Sequence, residues 1–154
     1  MWFSRKQVVK SPQGGGAQSV ARSAGDAPQA VPRQITTKSR GDAAEGVARA
    51  YLVRAGLRFV EANYRTPGRG GGEIDLVMRA PDGTLVFVEV RQRSGASHGG
   101  AGASISAAKQ QRIILAARHY LMRFASPPPC RFDVLLVQGA LGQIEWLPAA
   151  FDAS

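Results

Sequence analysis

The chain is poor in the residues that build disulfide frameworks and zinc sites. Its 154 residues include one cysteine, Cys130, and two histidines. A single cysteine excludes an intramolecular disulfide, and with two histidines it cannot by itself complete a tetrahedral zinc site. No apolar run reaches the roughly 20 residues that span a membrane, and no hydrophobic signal-peptide core is present. These absences favour a cytoplasmic protein with no membrane partner.

Acidic residues are also scarce. The chain has 20 Lys and Arg against 11 Asp and Glu, a net charge of +9. Residues 1–40 contain seven basic residues and only Asp26 as an acid, a net +6, which leaves +3 for residues 41–154. A basic excess of this size is typical of chains that bind nucleic acid.

The segment 1–38 is predicted to be a disordered basic tail, because it is rich in Gly, Ser, Gln, Ala and Pro and lacks sustained periodicity. We interpret it as a weakly constrained extension. The alternatives are an arm that binds phosphates without sequence preference and a transit peptide, which the lack of an amphipathic helix disfavours. Residues 39–154 have the length of one ordinary domain.

Two helices are predicted in that domain. Ser39 and Asp42 resemble a capping box, and Gly56 is a natural helix stop. The predicted buried face of this first helix comprises Ala44, Val47, Ala48, Tyr51, Leu52 and Ala55. A second helix is predicted from about Ser106 to Phe124. Its predicted buried residues are Ile113, Ala117, Tyr120, Leu121 and Phe124, with a cationic ridge on the opposite side at Lys109, Arg112, His119 and Arg123.

Five strands are predicted from β-branched and aromatic runs between turn signals. They cover about Leu57–Tyr64, Glu73–Met78, Leu85–Arg91, Arg131–Val137 and Gln143–Leu147. The order α-β-β-β-α-β-β predicts an α/β fold, a mixed sheet flanked by helices. Asp133, inside an apolar strand, is expected to hold a structural partner.

The second and third strands form the most informative pattern, because they carry carboxylates within apolar sequence. The turn Pro81-Asp82-Gly83 predicts an antiparallel hairpin, and side-chain alternation places Asp75 on the same face as Glu89. Two adjacent carboxylates repel unless a proton or a cation lies between them. Mg²⁺ accepts such a pair with water as its remaining ligands. The alternative is a surface hairpin with solvated charges, which the apolar character of both faces disfavours.

A glycine-rich loop, Gly68–Gly72, precedes this hairpin. It has no Gly-Lys-Ser/Thr ending and opens onto a strand, so a phosphate-binding P-loop is not indicated. We expect a flexible loop from which Arg69 can reach a backbone phosphate.

From about Gly41 to Phe151, the chain resembles the YraN-like family of predicted endonucleases. That family is similar to archaeal Holliday junction resolvases and belongs to the restriction-endonuclease-like superfamily. The resemblance rests on six segments in the right order: Glu45-Gly46-Val47-Ala48-Arg49-Ala50-Tyr51-Leu52, Asn63-Tyr64-Arg65, Gly72-Glu73-Ile74-Asp75-Leu76, Phe87-Val88-Glu89-Val90-Arg91-Gln92-Arg93, Lys109-Gln110-Gln111-Arg112 and Arg131-Phe132-Asp133-Val134.

The resemblance implies a restriction-endonuclease-like core and a Mg²⁺- or Mn²⁺-dependent nuclease acting on DNA. It implies that Asp75 and Glu89 bind the metal, with Glu45 as a further ligand, directly or through water. The residues expected to grip the nucleic-acid backbone are Arg65, Arg69, Arg93, Lys109 and Arg112. A homodimer is one assembly that the resemblance suggests, because a DNA junction presents two symmetric cleavage sites.

Arg91 occupies the position of the family's catalytic lysine. Arginine keeps the positive charge but is planar, bulkier and unable to act as a base. Two functions therefore stay open beside a protein-interaction module: an active nuclease in which Arg91 offsets charge, and a catalytically impaired nucleic-acid-binding protein of the same fold. If arginine is a handicap, Arg91→Lys should raise a weak wild-type activity.

Overall fold

The structure is a computed structural model that describes residues 36–93, 105–139 and 142–154. Its elements are α1 (Thr37–Arg54), β1 (Arg58–Arg65), β2 (Glu73–Arg79), β3 (Leu85–Arg93), α2 (Ala107–Leu121), β4 (Cys130–Gln138) and β5 (Gln143–Phe151). The predicted α/β class and the order of elements are confirmed. The predicted tail lies outside the described residues, except for Thr36, Thr37 and Lys38.

The five strands form one mixed sheet in the order β1-β2-β3-β4-β5. The strands β1, β2 and β3 are antiparallel neighbours, β3 and β4 are parallel, and β4 and β5 are antiparallel. Parallel neighbours need a crossover connection, and α2 lies in the segment that joins β3 to β4.

Each helix covers a different side of the sheet. The α1 cluster joins Ala44, Ala48 and Leu52 to Leu76, Met78, Val86, Val88, Leu135 and Val137. The α2 cluster joins Ile113, Ile114, Ala116, Ala117 and Tyr120 to Val77, Leu85, Phe87, Phe132, Val134 and Leu136. Because β2 and β3 are covered on both faces, the hairpin lies at the centre of the fold, and the disfavoured alternative of a solvated surface hairpin is excluded.

The predicted start of the first helix is wrong by one short turn. Thr36, not Ser39, is the N-cap, and its hydroxyl accepts a hydrogen bond from the Ser39 backbone N–H. The Ser39–Asp42 pair therefore does not form a capping box. Val47 is 40% exposed, and Ala55 is exposed at the C-cap, so neither lies on the buried face where it is predicted. The helix buries the single row Ala44, Ala48 and Leu52.

The cationic ridge predicted on the outer side of α2 is also wrong. The Tyr64 hydroxyl is hydrogen-bonded to the His119 ring, and Arg123 pairs with Glu61 and lies 3.8 Å from the centre of the Tyr120 ring. Lys109 contacts β3. The buried face of α2 is wider than the predicted stripe, because Ile114 and Ala116 belong to it as well. The basic residues at its borders therefore reach the sheet.

Side-chain alternation holds along β3 but not throughout β2. Leu85 and Phe87 belong to the α2 cluster and Val86 and Val88 to the α1 cluster, as predicted. Ile74, predicted to share a face with Leu76, instead belongs to the α2 cluster. Ile74 pairs with Tyr64, next to Asn63, whose positive φ of 54° interrupts the alternation of β1.

Candidate metal centre and nucleic-acid interface

The two strands of the β2–β3 hairpin separate at Asp75 and Glu89, which we call the carboxylate pair. Their backbone pairing runs from Arg79↔Leu85 to Leu76↔Val88 and stops there. Beyond that point, Asp75 Oδ2 accepts a hydrogen bond of 2.8 Å from the Val90 backbone N–H. The Asp75 side chain thus takes the place of the next rung of the ladder, which fixes it between the two strands.

Glu89 lies beside Asp75 in this opening, so the prediction that the two carboxyl groups are close together is confirmed. Glu89 is 8% exposed and forms a hydrogen bond with Asp75. Burial, followed by the charge of Asp75, raises the pKa of Glu89 from 4.5 to about 7. Burial also raises the pKa of Asp75, while the Val90 N–H lowers it. One proton shared between the two groups relieves their repulsion, as a bound cation also can.

Lys109 is the third member of this group. It lies in the first turn of α2, and its Nζ is 3.3 Å from Glu89 Oε2. The charge of Lys109 lowers the pKa of both carboxyl groups and so partly offsets their burial. Glu89 Oε2 is buried and has this ion pair but no hydrogen-bond partner. That oxygen could therefore accept a further ligand.

Glu45 approaches the pair from α1. Partial burial, and then the charge of Asp75, raise the pKa of Glu45, whereas a hydrogen bond with Asn63 lowers it. Among the described residues, no three His, Cys, Asp or Glu side chains are grouped as a set of metal ligands. The structure therefore assembles two of the three predicted ligands, Asp75 and Glu89. Two carboxylates with an oxygen lacking a hydrogen bond fit Mg²⁺, which usually keeps several waters beside one or two carboxylates.

A basic cleft adjoins the carboxylate pair. It encloses about 280 Å³ and is lined by Arg65, Thr66, Gly68, Gly70, Gly71, Gly72, Glu73, Lys109 and Arg112. Three of the five residues expected to grip the backbone, Arg65, Lys109 and Arg112, thus share one cleft. Two of its lining residues, Arg65 and Glu73, form an ion pair at 2.8 Å. Arg69 is exposed in the loop that forms one wall.

The glycine-rich loop is anchored at both ends, and the flexibility of the residues between them stays a prediction. The Thr66 backbone N–H donates to the Gly72 carbonyl, and the Gly72 N–H donates to the Thr66 hydroxyl. A Cβ at Gly72 would lie 1.8 Å from the Arg112 carbonyl oxygen. Glycine is therefore required here, because the loop touches the backbone of α2 and so holds Lys109 and Arg112 against the cleft.

The remaining predicted cations lie further along β3. Arg91 is half-buried and is paired in register with Leu136 of β4. The side chain of Arg93 is 11% exposed, and its NH1 is 3.8 Å from Glu145 Oε2. The structure does not bring Arg93 together with the basic cleft.

Asp133 is buried as a structural carboxylate and is not part of the Asp75–Glu89 pair. It is fully buried and accepts hydrogen bonds from Arg131, from Trp146 Nε1 and from the Ala149 backbone N–H. These donors hold the irregular end of β5, where Ala149 has a positive φ of 49°. β5 consequently extends to Phe151, beyond its predicted end at Leu147.

Sequence comparison places the chain among known families. The model of the uncharacterised protein family UPF0102 matches residues 44–137, which include the carboxylate pair, Glu45 and Lys109. The chain belongs to family UPF0102. This family is YraN-like, so the resemblance found in the sequence is confirmed.

Several UPF0102 proteins are similar to this chain at high identity. Those of Polaromonas sp. strain JS666 and Polaromonas naphthalenivorans are each 72% identical over the full length of both chains. That of Albidiferax ferrireducens is 71% identical over 67% of this chain and 79% of its own. A solved structure, Pyrococcus furiosus SfsA in complex with Ca²⁺, is 16% identical, with a TM-score of 0.34 over 77% of this chain and 66% of its own. That likeness is too slight to support an inference.

Sequence reasoning placed Lys109 among the backbone-gripping residues and missed its contact with Glu89. Its spacing from Ile113 and Ala117, at offsets of four and eight, puts Lys109 on the same helix face as these buried residues. That spacing is the sequence signal that could have predicted the contact of Lys109 with the sheet.

No helix among the described residues of this UPF0102 protein is long and apolar enough to cross a membrane.

Proposed function

We propose that this UPF0102 protein is a metal-dependent nuclease that hydrolyses phosphodiester bonds in DNA, branched or junction DNA included. The observation that carries the proposal is the pair Asp75 and Glu89 at the opening of a buried hairpin, next to a basic cleft. Buried adjacent carboxylates are costly unless they share a proton or bind a cation. The predicted location is the cytoplasm.

Asp75 and Glu89 are the proposed ligands of Mg²⁺ or Mn²⁺, with Glu45 binding directly or through water. When bound there, the ion would supply an activated water and a positive charge opposite the attacked phosphate. Water adds to phosphorus, one P–O ester bond breaks, and the products are a phosphomonoester, a hydroxyl group and a proton. Asp75 is held for this task by the Val90 N–H, which fixes its second oxygen.

The cations provide the proposed nucleic-acid contacts. Arg65 and Arg112 line the cleft with Lys109, and Arg69 extends from its glycine-rich wall. Such side chains bind phosphates and position a strand without reading its sequence. Arg91, two residues beyond Glu89 on β3, would add positive charge near the transition state.

The test is cleavage of labelled four-way junction, flap, single-stranded and duplex DNA, with Mn²⁺, with Mg²⁺ and with EDTA. We expect cleavage of at least one substrate in a metal-dependent manner, and loss of about 100-fold or more in Asp75→Asn. Glu61→Gln is the matched control, because Glu61 is a surface carboxylate on β1 that forms an ion pair with Arg123. Cleavage that survives EDTA, or that is equal in wild type and Asp75→Asn, contradicts the proposal.

One specific observation favours a second function. Arg91 stands where the family's lysine is expected, which favours a nucleic-acid-binding protein with impaired catalysis. That protein would bind DNA with a steep salt dependence and cleave none of the substrates. A protein-interaction module would show neither property.

A further inference from the structure

Lys109 connects the two parts of the proposed site. Its Nζ is 3.3 Å from Glu89 Oε2, and its side chain also lines the basic cleft with Arg65 and Arg112. The side chain is 38% exposed, so one end of it is accessible from the cleft. A phosphate seated in this cleft would therefore meet Lys109 at the border with the carboxylates.

The position of Lys109 is fixed by the backbone of α2. The Ser106 hydroxyl accepts a hydrogen bond from the Lys109 N–H, and the Gln110 side chain donates to the Ile105 carbonyl. Gly72 packs against the Arg112 carbonyl one turn later. These contacts fix the backbone of the first turn of the helix, and the ion pair with Glu89 holds the ammonium group beside the carboxylates.

We propose that Lys109, supplied by α2, takes the role that the family's catalytic lysine would have at position 91. Without metal, its ammonium group neutralises the carboxylate pair through Glu89. With a divalent cation held by Asp75 and Glu89, the ammonium group would instead contact a non-bridging oxygen of the phosphate being hydrolysed, forming no covalent bond. This inference rests on the proposed nuclease function.

The arrangement explains how arginine can replace lysine at position 91. The compact, strongly hydrated ammonium that arginine cannot provide is then already present on α2. Arg91→Lys would consequently give no gain in activity, whereas reasoning from the sequence alone predicts a gain.

The experiment compares wild type, Lys109→Ala, Lys109→Arg, Arg91→Ala, Arg91→Lys and Arg112→Ala in the full chain. Cleavage with Mn²⁺ gives kcat and KM. DNA binding is measured with Ca²⁺, and Mn²⁺ binding by titration without DNA. Arg118→Ala is the matched control, because Arg118 is exposed on the same helix and lies outside the cleft.

We expect Lys109→Ala to lower kcat by about 100-fold or more, while DNA affinity changes by less than about fivefold. Lys109→Arg should retain more activity than Lys109→Ala. Arg112→Ala should mainly raise KM, and the loss in Arg91→Ala should be about tenfold smaller than that in Lys109→Ala. Lys109→Ala should also bind Mn²⁺ more tightly, by about threefold or more, because a competing cation has been removed from Glu89.

Three results of the cleavage assay overturn the inference. The first is an active wild type with kcat unchanged in Lys109→Ala, which leaves the proposed function intact. The second is a rise in activity of about tenfold or more in Arg91→Lys, which assigns the lysine role to position 91. The third is wild type that cleaves no substrate, which removes the proposed function as well. Unchanged Mn²⁺ affinity in Lys109→Ala contradicts the inferred neutralising role independently of cleavage.

Discussion

Replacing Glu89 by glutamine should stabilise the metal-free protein at alkaline pH. The folded protein holds Glu89 with a pKa of about 7, against an ordinary value of 4.5. Between these two values, the folded state binds a proton that the unfolded chain has released. The free energy of unfolding therefore falls as pH rises through this range, and Asp75, whose pKa is also raised, acts in the same direction.

The magnitude follows from the size of the pKa change. A rise from 4.5 to about 7 corresponds to at most about 3 kcal/mol of stability lost between about pH 4.5 and pH 8. Glutamine matches glutamate in shape but carries no charge, so Glu89→Gln avoids this loss. At about pH 8 we expect the variant to be more stable than wild type by about 1–3 kcal/mol, and at about pH 5 to differ little.

The assay is urea unfolding in EDTA at several values between about pH 5 and pH 8, with Glu61→Gln as the surface control. Adding Mn²⁺ should stabilise wild type increasingly as pH rises, because the metal binds the ionised carboxylates, and should not stabilise Glu89→Gln. Parallel pH profiles for wild type and Glu89→Gln, or a variant less stable than wild type at about pH 8, would refute the reasoning.

Three further outcomes follow from the structure. Asp133→Asn should lower the free energy of unfolding by about 3 kcal/mol in urea titrations, since a buried carboxylate that accepts four side-chain and backbone donors loses its charge. Gly72→Ala should cost about 1–3 kcal/mol through its clash with α2, whereas Gly46→Ala, in open space on α1, should gain up to about 1 kcal/mol. Deleting residues 1–33 should leave the melting temperature of the unit Gln34–Ser154 unchanged and, if they bind phosphates, reduce the salt slope of DNA binding.

The hairpin and the order of elements were predictable because their signals are local. The turn Pro81-Asp82-Gly83 sets the antiparallel pairing, and alternation then brings Asp75 beside Glu89. The same reasoning failed at Ile74, where Asn63 on the neighbouring strand adopts a positive φ. Nothing in the sequence of β2 reveals that interruption.

The position of Lys109 was harder to predict from the sequence because it depends on tertiary packing. Periodicity assigns faces to a helix but does not say which strand residue a border side chain will meet. That depends on the close approach of Gly72 to α2, which only the folded backbone shows. The cap at Thr36 was missed for a related reason: both Thr36 and Ser39 are good N-cap residues, and the local sequence does not choose between them.

The central claim is that Asp75 and Glu89 form a divalent metal site, and calorimetric titration of Mn²⁺ into the full-length protein tests it most directly. We predict one site per chain in wild type, the same site in Glu61→Gln, and an affinity lower by about tenfold or more in Asp75→Asn. Equal Mn²⁺ affinity in wild type and Asp75→Asn, or no binding to wild type at about pH 8, above the pKa of about 7 of Glu89, would contradict the account.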